Sequence, residues 1–120
     1  MTRGEKAEEN FRNGYNCTQS VLYAFSDILK DDNLIKCTSC FGGGMGRLRE
    51  VCGTVSAAFI ICSHYYGYTD PNEKDKKDFL YSKIQLLSSR FEEKLGTIIC
   101  RELLKLDRKK RRTNKRRKNK

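Results

Sequence analysis

The sequence predicts an all-α protein, a compact bundle of four to five helices that carries a disordered basic C-terminal tail. Three observations lead to this fold class. Apolar residues recur at spacings of three and four, which is the period of an amphipathic helix. No segment alternates between apolar and polar residues with a period of two, so strands are not expected. The last thirteen residues contain no apolar side chain and cannot contribute to a core.

The first half of the chain contains two predicted helices and a loop. A short polar helix covers residues 5–11 and stops at an Asn-Gly pair. The second helix begins at Cys17, presents its apolar side chains on one stripe, and ends at the polar cluster 30–33. The loop that follows contains two cysteines and the glycine-rich run 42–46.

Three further helices are predicted in the second half. Residues 51–66 are almost wholly apolar with small side chains among them, which predicts a buried central helix whose neighbours approach closely. A turn at Pro71 opens the helix 73–95, and its stripe of apolar residues ends at Gly96. A last short helix is expected over residues 100–106.

The net charge of +10 is confined to the C-terminus. Residues 108–120 hold ten of the 25 lysines and arginines and no acid, so the 15 basic residues before them balance the 15 acidic ones. We therefore expect one helical, cysteine-containing domain over residues 1–107, which is long enough to bury its own core. Residues 108–120 are expected to form a separate basic tail that is disordered, or helical only without tertiary contacts.

The composition predicts a cytoplasmic protein. No run approaches the roughly 18 apolar residues of a membrane span, and the charged N-terminus lacks the apolar segment of a secretory signal. Six cysteines among 120 residues fall short of the roughly 8–10% that marks a disulfide scaffold. In the cytosol thiols stay reduced unless they are catalytic or bind a metal.

Cys17, Cys52 and Cys62 occupy the predicted helical segments before residue 67. Cys17 lies where a helix begins, and the backbone amides and dipole of a helix start favour a thiolate, although a small core residue is the alternative. Cys52 follows the glycine run. It is N-terminal and activated if its helix starts near residue 50, and a core residue of the second turn if the helix starts at residue 46. Cys62 lies among apolar neighbours and is expected to be inert packing.

A C-x-x-C pair is formed by Cys37 and Cys40. Such pairs serve as dithiol redox centres or as half of a four-cysteine metal site. No second C-x-x-C and no βαβ pattern accompanies it, so the sequence leaves both interpretations open.

The glycine run and the single histidine do not indicate known chemistry. Residues 42–46 lack the spacing of a nucleotide-binding loop, and we interpret the glycines as allowing tight turns and close packing at a helix start. His64 could pair with a cysteine nucleophile, but we expect it to be a helical, partly exposed residue.

Three stretches of the chain resemble the small proteins of the C_GCAxxG_C_C family, described as redox-active. They are Gly14-Tyr15-Asn16-Cys17-Thr18-Gln19-Ser20-Val21-Leu22, then Phe41-Gly42-Gly43-Gly44-Met45-Gly46 with Val51-Cys52-Gly53, and Gly96 with Cys100-Arg101-Glu102-Leu103. The resemblance runs from about residue 11 to residue 106. It implies that the site cysteines are Cys17, Cys52 and Cys100.

The chain departs from the family pattern in two places. Thr54 and Ala57 stand where the family favours Ala and Gly. The family also carries a fourth cysteine in a further C-terminal segment, whereas this chain passes after Asp107 into the Lys/Arg run.

Three hypotheses for function follow. In the first, two of Cys17, Cys52 and Cys100 cycle between dithiol and disulfide with a redox partner protein, as in a thiol oxidoreductase that needs no cofactor. In the second, Cys37 and Cys40 join some of those three to hold zinc or an iron–sulfur cluster. In the third, the tail binds nucleic acid or another anionic surface without sequence preference.

Overall fold

The computed structural model describes the backbone of residues 1–118 and the side chains of residues 1–112. Within these residues the fold is all-α, as predicted. The described part of the chain contains no β-strand, and its one element of β pairing is an isolated antiparallel bridge between Val51 and Ile99.

The helices follow one another along the chain with short connections. In order they are α1 (Arg3–Arg12), α2 (Cys17–Ala24), α3 (Ser26–Leu29), α4 (Asp32–Cys37), a 3₁₀ turn (Ser39–Phe41), α5 (Gly42–Met45), α6 (Gly53–Tyr66), α7 (Lys74–Leu95) and α8 (Cys100–Lys118).

The predicted count of four to five helices is too low for the part of the chain that the structure describes. Seven segments are right-handed α-helices, and α5 is a short turn with left-handed dihedral angles. The predicted helix from Cys17 to residue 29 is divided at Phe25, whose φ of −109° and ψ of 18° leave the helical range. The short helix α4 was expected to be loop, and it begins where the Asp31 side chain accepts a hydrogen bond from Leu34 N–H.

The core lies between α2 and α6 and includes residues from α3 and α4. Its buried members are Leu22, Leu29, Ile35 and Ala57. The segment predicted to be the central helix, α6, buries the small residues Ser56 and Ala57, which lets α2 approach its backbone. Its N-terminal end is therefore fixed against α2, and this contact positions the site described below.

Helix α1 is attached to α2 by polar contacts. The buried Asn10 side chain donates a hydrogen bond to the Ser20 carbonyl at 3.0 Å. The Arg3 guanidinium binds the Ala24 carbonyl at 2.7 Å and the Asp27 carboxylate at 2.8 Å. The bond from Arg3 satisfies the Ala24 carbonyl at the C-terminal end of α2, where helical backbone acceptors lack partners.

Helix α7 packs mainly against α6 and buries only Leu80 fully. It ends at Gly96, whose φ of 94° is the left-handed conformation of a helix C-cap, as the sequence predicted. Gly96 turns the chain back so that residues 98–100 reach the start of α6.

The C-terminal helix is longer than the short helix expected over residues 100–106. Helix α8 begins at Cys100, as predicted, but continues through the basic run to Lys118. No helix-breaking residue follows Asp107, and Lys and Arg are good helix formers. Residues 119–120, part of the predicted tail, lie outside the described residues. The division into a domain and a tail near residue 107 stays a prediction.

A membrane-spanning helix is not found among residues 1–118, since none of the described helices combines the necessary length with sufficient apolar character.

Candidate functional site

The glycine run, residues 42–46, forms a left-handed turn next to Cys100. From Gly43 to Arg47, five successive residues have φ between 61° and 69°, and the Gly46 N–H closes the turn on the Gly42 carbonyl at 3.0 Å. Such angles cost a residue other than glycine about 1–2 kcal/mol. At the buried Gly44 a β-carbon would lie 2.6 Å from Cβ of Cys100. Because Gly44 has no side chain, the turn can pack directly against Cys100.

Cys17 is the first residue of α2, as the sequence predicted. A capping box begins this helix: the Asn16 side chain accepts a hydrogen bond from Gln19 N–H at 2.8 Å, and the Gln19 side chain accepts one from Asn16 N–H at 3.2 Å. The Cys17 sulfur occupies the space where a β-carbon at residue 53 would lie. Gly53 therefore lets the half-buried Cys17 side chain pack directly against the start of α6.

Cys52 is the N-cap residue of α6, and this position decides between the two interpretations of the sequence. The helix begins at Gly53, so Cys52 lies at the N-terminus and is not a core residue of the second turn. The Cys52 carbonyl accepts the first intrahelical bond, from Ser56 N–H at 3.0 Å. The Cys52 side chain accepts no hydrogen bond from the first-turn amides of α6.

The Val51–Ile99 bridge brings Cys100 beside Cys52. Cys52 N–H donates to the Ile98 carbonyl at 2.8 Å, and Cys100 N–H donates to the Glu50 carbonyl. In this pairing Cys52 is bonded to residue 98 and Cys100 to residue 50, so the two cysteines lie on either side of the bridge.

The three family cysteines line one open cleft of about 860 Å³. Each lies at a helix N-terminus, Cys17 on α2, Cys52 on α6 and Cys100 on α8. Phe11 and Leu103 contribute apolar lining. The structure thus brings together the residues that the resemblance implied, although they are distant in sequence.

Basic side chains flank the cysteines of the cleft. Arg49 Nη1 donates a hydrogen bond to the Cys100 sulfur at 3.7 Å, and Arg47 also lines the cleft. Asp107 is the acidic residue of the lining, and its carboxylate is paired with Arg111 at 3.1 Å. The guanidinium groups therefore favour a bound molecule that carries negative charge.

The C-x-x-C pair is divided between the cleft and the surface. Cys40 lies in the 3₁₀ turn, is exposed and lines the cleft. Cys37 is the last residue of α4, is exposed and does not line the cleft.

The remaining cysteine and the histidine lie elsewhere on α6. Cys62 is buried as expected, and burial raises the pKa of its thiol. His64 is exposed on the last turn of the helix, with its ring 5.2 Å from that of Tyr65.

A metal centre gains no support from this geometry. Among the residues that the structure describes, no three His, Cys, Asp or Glu side chains are grouped closely enough to hold a metal ion. The proposal that Cys37 and Cys40 bind zinc or an iron–sulfur cluster with Cys17, Cys52 or Cys100 stays a prediction.

Arg49 is a site residue that sequence reasoning did not single out, and Cys40 was placed with Cys17, Cys52 or Cys100 only in the metal hypothesis. Arg49 follows the glycine run by three residues, and a basic residue beside a cysteine-rich loop could have indicated it. The position of Cys40 depends on the contact between Asn16 and Ser39, a bond of 3.0 Å between distant parts of the chain that no local pattern indicates.

Comparison with known proteins identifies one family. The family model described as "Putative redox-active protein (C_GCAxxG_C_C)" matches residues 15–120. No curated protein and no solved structure matches the chain. The match covers most of the sequence, including the segments that carry all three cleft cysteines, and the chain belongs to the C_GCAxxG_C_C family.

Proposed function

We propose that the protein is a thiol–disulfide oxidoreductase whose exchanging pair is Cys17 and Cys52. The observation that carries the proposal is the meeting of Cys17, Cys52 and Cys100 in one open cleft. Cys62, by contrast, is buried and does not line this cleft.

Local contacts favour Cys17 as the partner of Cys52. The Cys17 sulfur packs against Gly53, the residue bonded to Cys52. The Cys100 side chain instead packs against Gly44 and accepts a hydrogen bond from Arg49. Cys100 is therefore the alternative partner.

The surroundings of the sulfurs leave them open to exchange with a partner disulfide. Each cysteine lies at a helix N-terminus in the cleft, and Arg49 donates a hydrogen bond to the Cys100 sulfur. The thiolate is the attacking form in such an exchange.

The reaction is a two-electron exchange with a disulfide in a partner protein. One cleft thiolate attacks a partner sulfur, forms a mixed disulfide and releases the other partner sulfur as a thiolate. The second cleft thiolate then attacks the first cleft sulfur, which forms the internal disulfide and releases the remaining partner thiolate. The partner gains two electrons and, after protonation, two protons.

The test is a redox titration of the full-length protein. Samples equilibrated in mixtures of reduced and oxidised glutathione are quenched with an alkylating agent, and disulfides are mapped by mass spectrometry. We expect a reversible Cys17–Cys52 disulfide that is retained in Cys62→Ser and lost in Cys52→Ser. Absence of any reversible disulfide at Cys52 would refute the proposal.

The metal hypothesis from the sequence can be tested on the same preparation. Metal analysis after anaerobic purification tests the zinc and iron–sulfur hypothesis, which requires about one ion or cluster per chain. Binding of nucleic acid by residues 108–120 has no support from the family match, and the side chains of residues 113–120 lie outside the described residues.

A further inference from the structure

We infer that Cys37 and Cys40 form a second dithiol, which exchanges with Cys17 and carries electrons between the cleft and a dithiol protein. The inference rests on the proposed function, because it requires a cleft disulfide. The pair is not among the cysteines that match the family motif, so the resemblance assigns it no role.

The position of Cys40 is fixed by its two neighbours in the chain. The Ser39 carbonyl accepts a hydrogen bond at 3.0 Å from Asn16, the residue before Cys17. The Phe41 carbonyl lies 3.2 Å from where a β-carbon of Gly53 would be, beside the Cys17 sulfur. These two contacts, one on each side of Cys40 in the chain, hold Cys40 close to Cys17.

The position of Cys37 suits it to resolve a disulfide at Cys40. The two residues are three apart across the end of α4 and the 3₁₀ turn. In a helical turn such residues are neighbours, with Cβ atoms about 5–6 Å apart. A local shift of roughly 1–2 Å brings them to disulfide distance.

The two sulfurs face different surroundings. Cys40 lines the cleft and Cys37 does not, while both are exposed. The turn between them is anchored by Thr38 Oγ1, which donates to the Ile35 carbonyl at 2.9 Å, and by Ser39 Oγ, which donates to the Lys36 carbonyl at 2.7 Å. A partner protein can reach Cys37 from outside while Cys40 faces the cleft.

The exchange balances in two steps. The Cys40 thiolate attacks the Cys17 sulfur of the Cys17–Cys52 disulfide, forming Cys17–Cys40 and releasing the Cys52 thiolate. The Cys37 thiolate then attacks the Cys40 sulfur, forming Cys37–Cys40 and releasing the Cys17 thiolate. Two electrons have moved into the cleft, and a dithiol protein reduces the Cys37–Cys40 disulfide by the same chemistry.

The experiment traps the intermediate in full-length variants. The protein is oxidised with oxidised glutathione, quenched with acid and alkylating agent, and its disulfides are mapped by mass spectrometry. In Cys37→Ser the second step is blocked, so we expect Cys17–Cys40 to accumulate. In Cys40→Ser we expect only the cleft disulfide, and Cys62→Ser should match the unmodified protein.

A kinetic measurement provides a second readout. We expect Cys40→Ser to slow reduction of the cleft disulfide by reduced thioredoxin, a bulky dithiol probe, at least about tenfold, with less than about a twofold change for the small dithiol dithiothreitol.

Two results would overturn the inference. A cleft disulfide that forms normally in Cys37→Ser without any Cys17–Cys40 linkage removes the relay and leaves the proposed function intact. Loss of the cleft disulfide from every sample, the unmodified protein included, removes both.

Discussion

Replacing Gly53 by alanine tests the close approach of Cys17 to the start of α6. The added β-carbon would overlap the Cys17 sulfur and lie 2.6 Å from Thr18 Oγ1. Overpacking of this kind costs about 1–3 kcal/mol. Disturbing the buried hydrogen bond from Thr18 Oγ1 to the Gly53 carbonyl, 3.0 Å long, adds about 0.5–1.5 kcal/mol. The greater helix propensity of alanine offsets at most about 1 kcal/mol of this loss. We therefore expect the free energy of unfolding to fall by about 2 kcal/mol.

Gly4→Ala is the matched control, because it makes the same chemical change in open space. Gly4 is an exposed residue of α1, and the nearest atom to an added β-carbon is Thr2 Oγ1 at 3.9 Å. Propensity alone predicts that this variant gains up to about 1 kcal/mol. Both variants are compared by urea denaturation, in which the midpoint should shift and the slope should stay constant.

A double-mutant cycle tests whether the loss of stability in Gly53→Ala comes from overlap with the Cys17 sulfur. Cys17→Ala removes the overlapping atom, so Gly53→Ala should cost less in that background, with a coupling energy of about 1 kcal/mol. A Gly53→Ala protein as stable as Gly4→Ala, or a cycle with no coupling, would show that Cys17 does not pack on α6.

Three other outcomes are expected. Burial raises the pKa of Cys62, which keeps its thiol protonated at neutral pH. Iodoacetamide should therefore label Cys52 well before Cys62 across about pH 6–8. Equal, slow labelling of both cysteines would contradict the assignment of Cys52 to the reactive cleft. Arg49→Gln removes a positive charge beside the Cys100 sulfur, so alkylation of Cys100 by the anionic reagent iodoacetate should slow relative to alkylation by neutral iodoacetamide, and Arg49→Lys should change this ratio less; an unchanged ratio in Arg49→Gln would remove the electrostatic role. Deleting residues 108–120 should leave the melting temperature within about 2 °C and abolish most heparin binding, whereas a larger drop would make this part of α8 integral to the fold.

The features that sequence reasoning predicted well are those set by local patterns. The apolar run that became α6 is long, rich in small residues and bounded by glycine, so its burial followed from composition. The start of α2 at Cys17 and the end of α7 at Gly96 are also local, since each is fixed by a residue with capping geometry.

The features that were missed depend on contacts between distant segments. The break at Phe25 interrupts a continuous apolar stripe, so periodicity alone joined α2 to α3. Glycines allowed the turn at 43–47, but nothing local indicates that Met45 and Arg47 share its left-handed angles. The family resemblance named three cysteines, and the structure was needed to find Cys40 beside them.

The bridge between Val51 and Ile99 has a consequence for the order of folding. It joins residues separated by the whole of α6 and α7, and closing a loop of that length carries an entropic cost before any contact compensates it. Contacts of high sequence separation form late in folding. Helices α1, α2 and α6 can associate earlier through nearer contacts, so Cys17 and Cys52 meet before Cys100 joins them. On a ribosome, Cys100 can enter the cleft only after α7 has emerged, and during that interval the two earlier cysteines can react with each other without competition from the third.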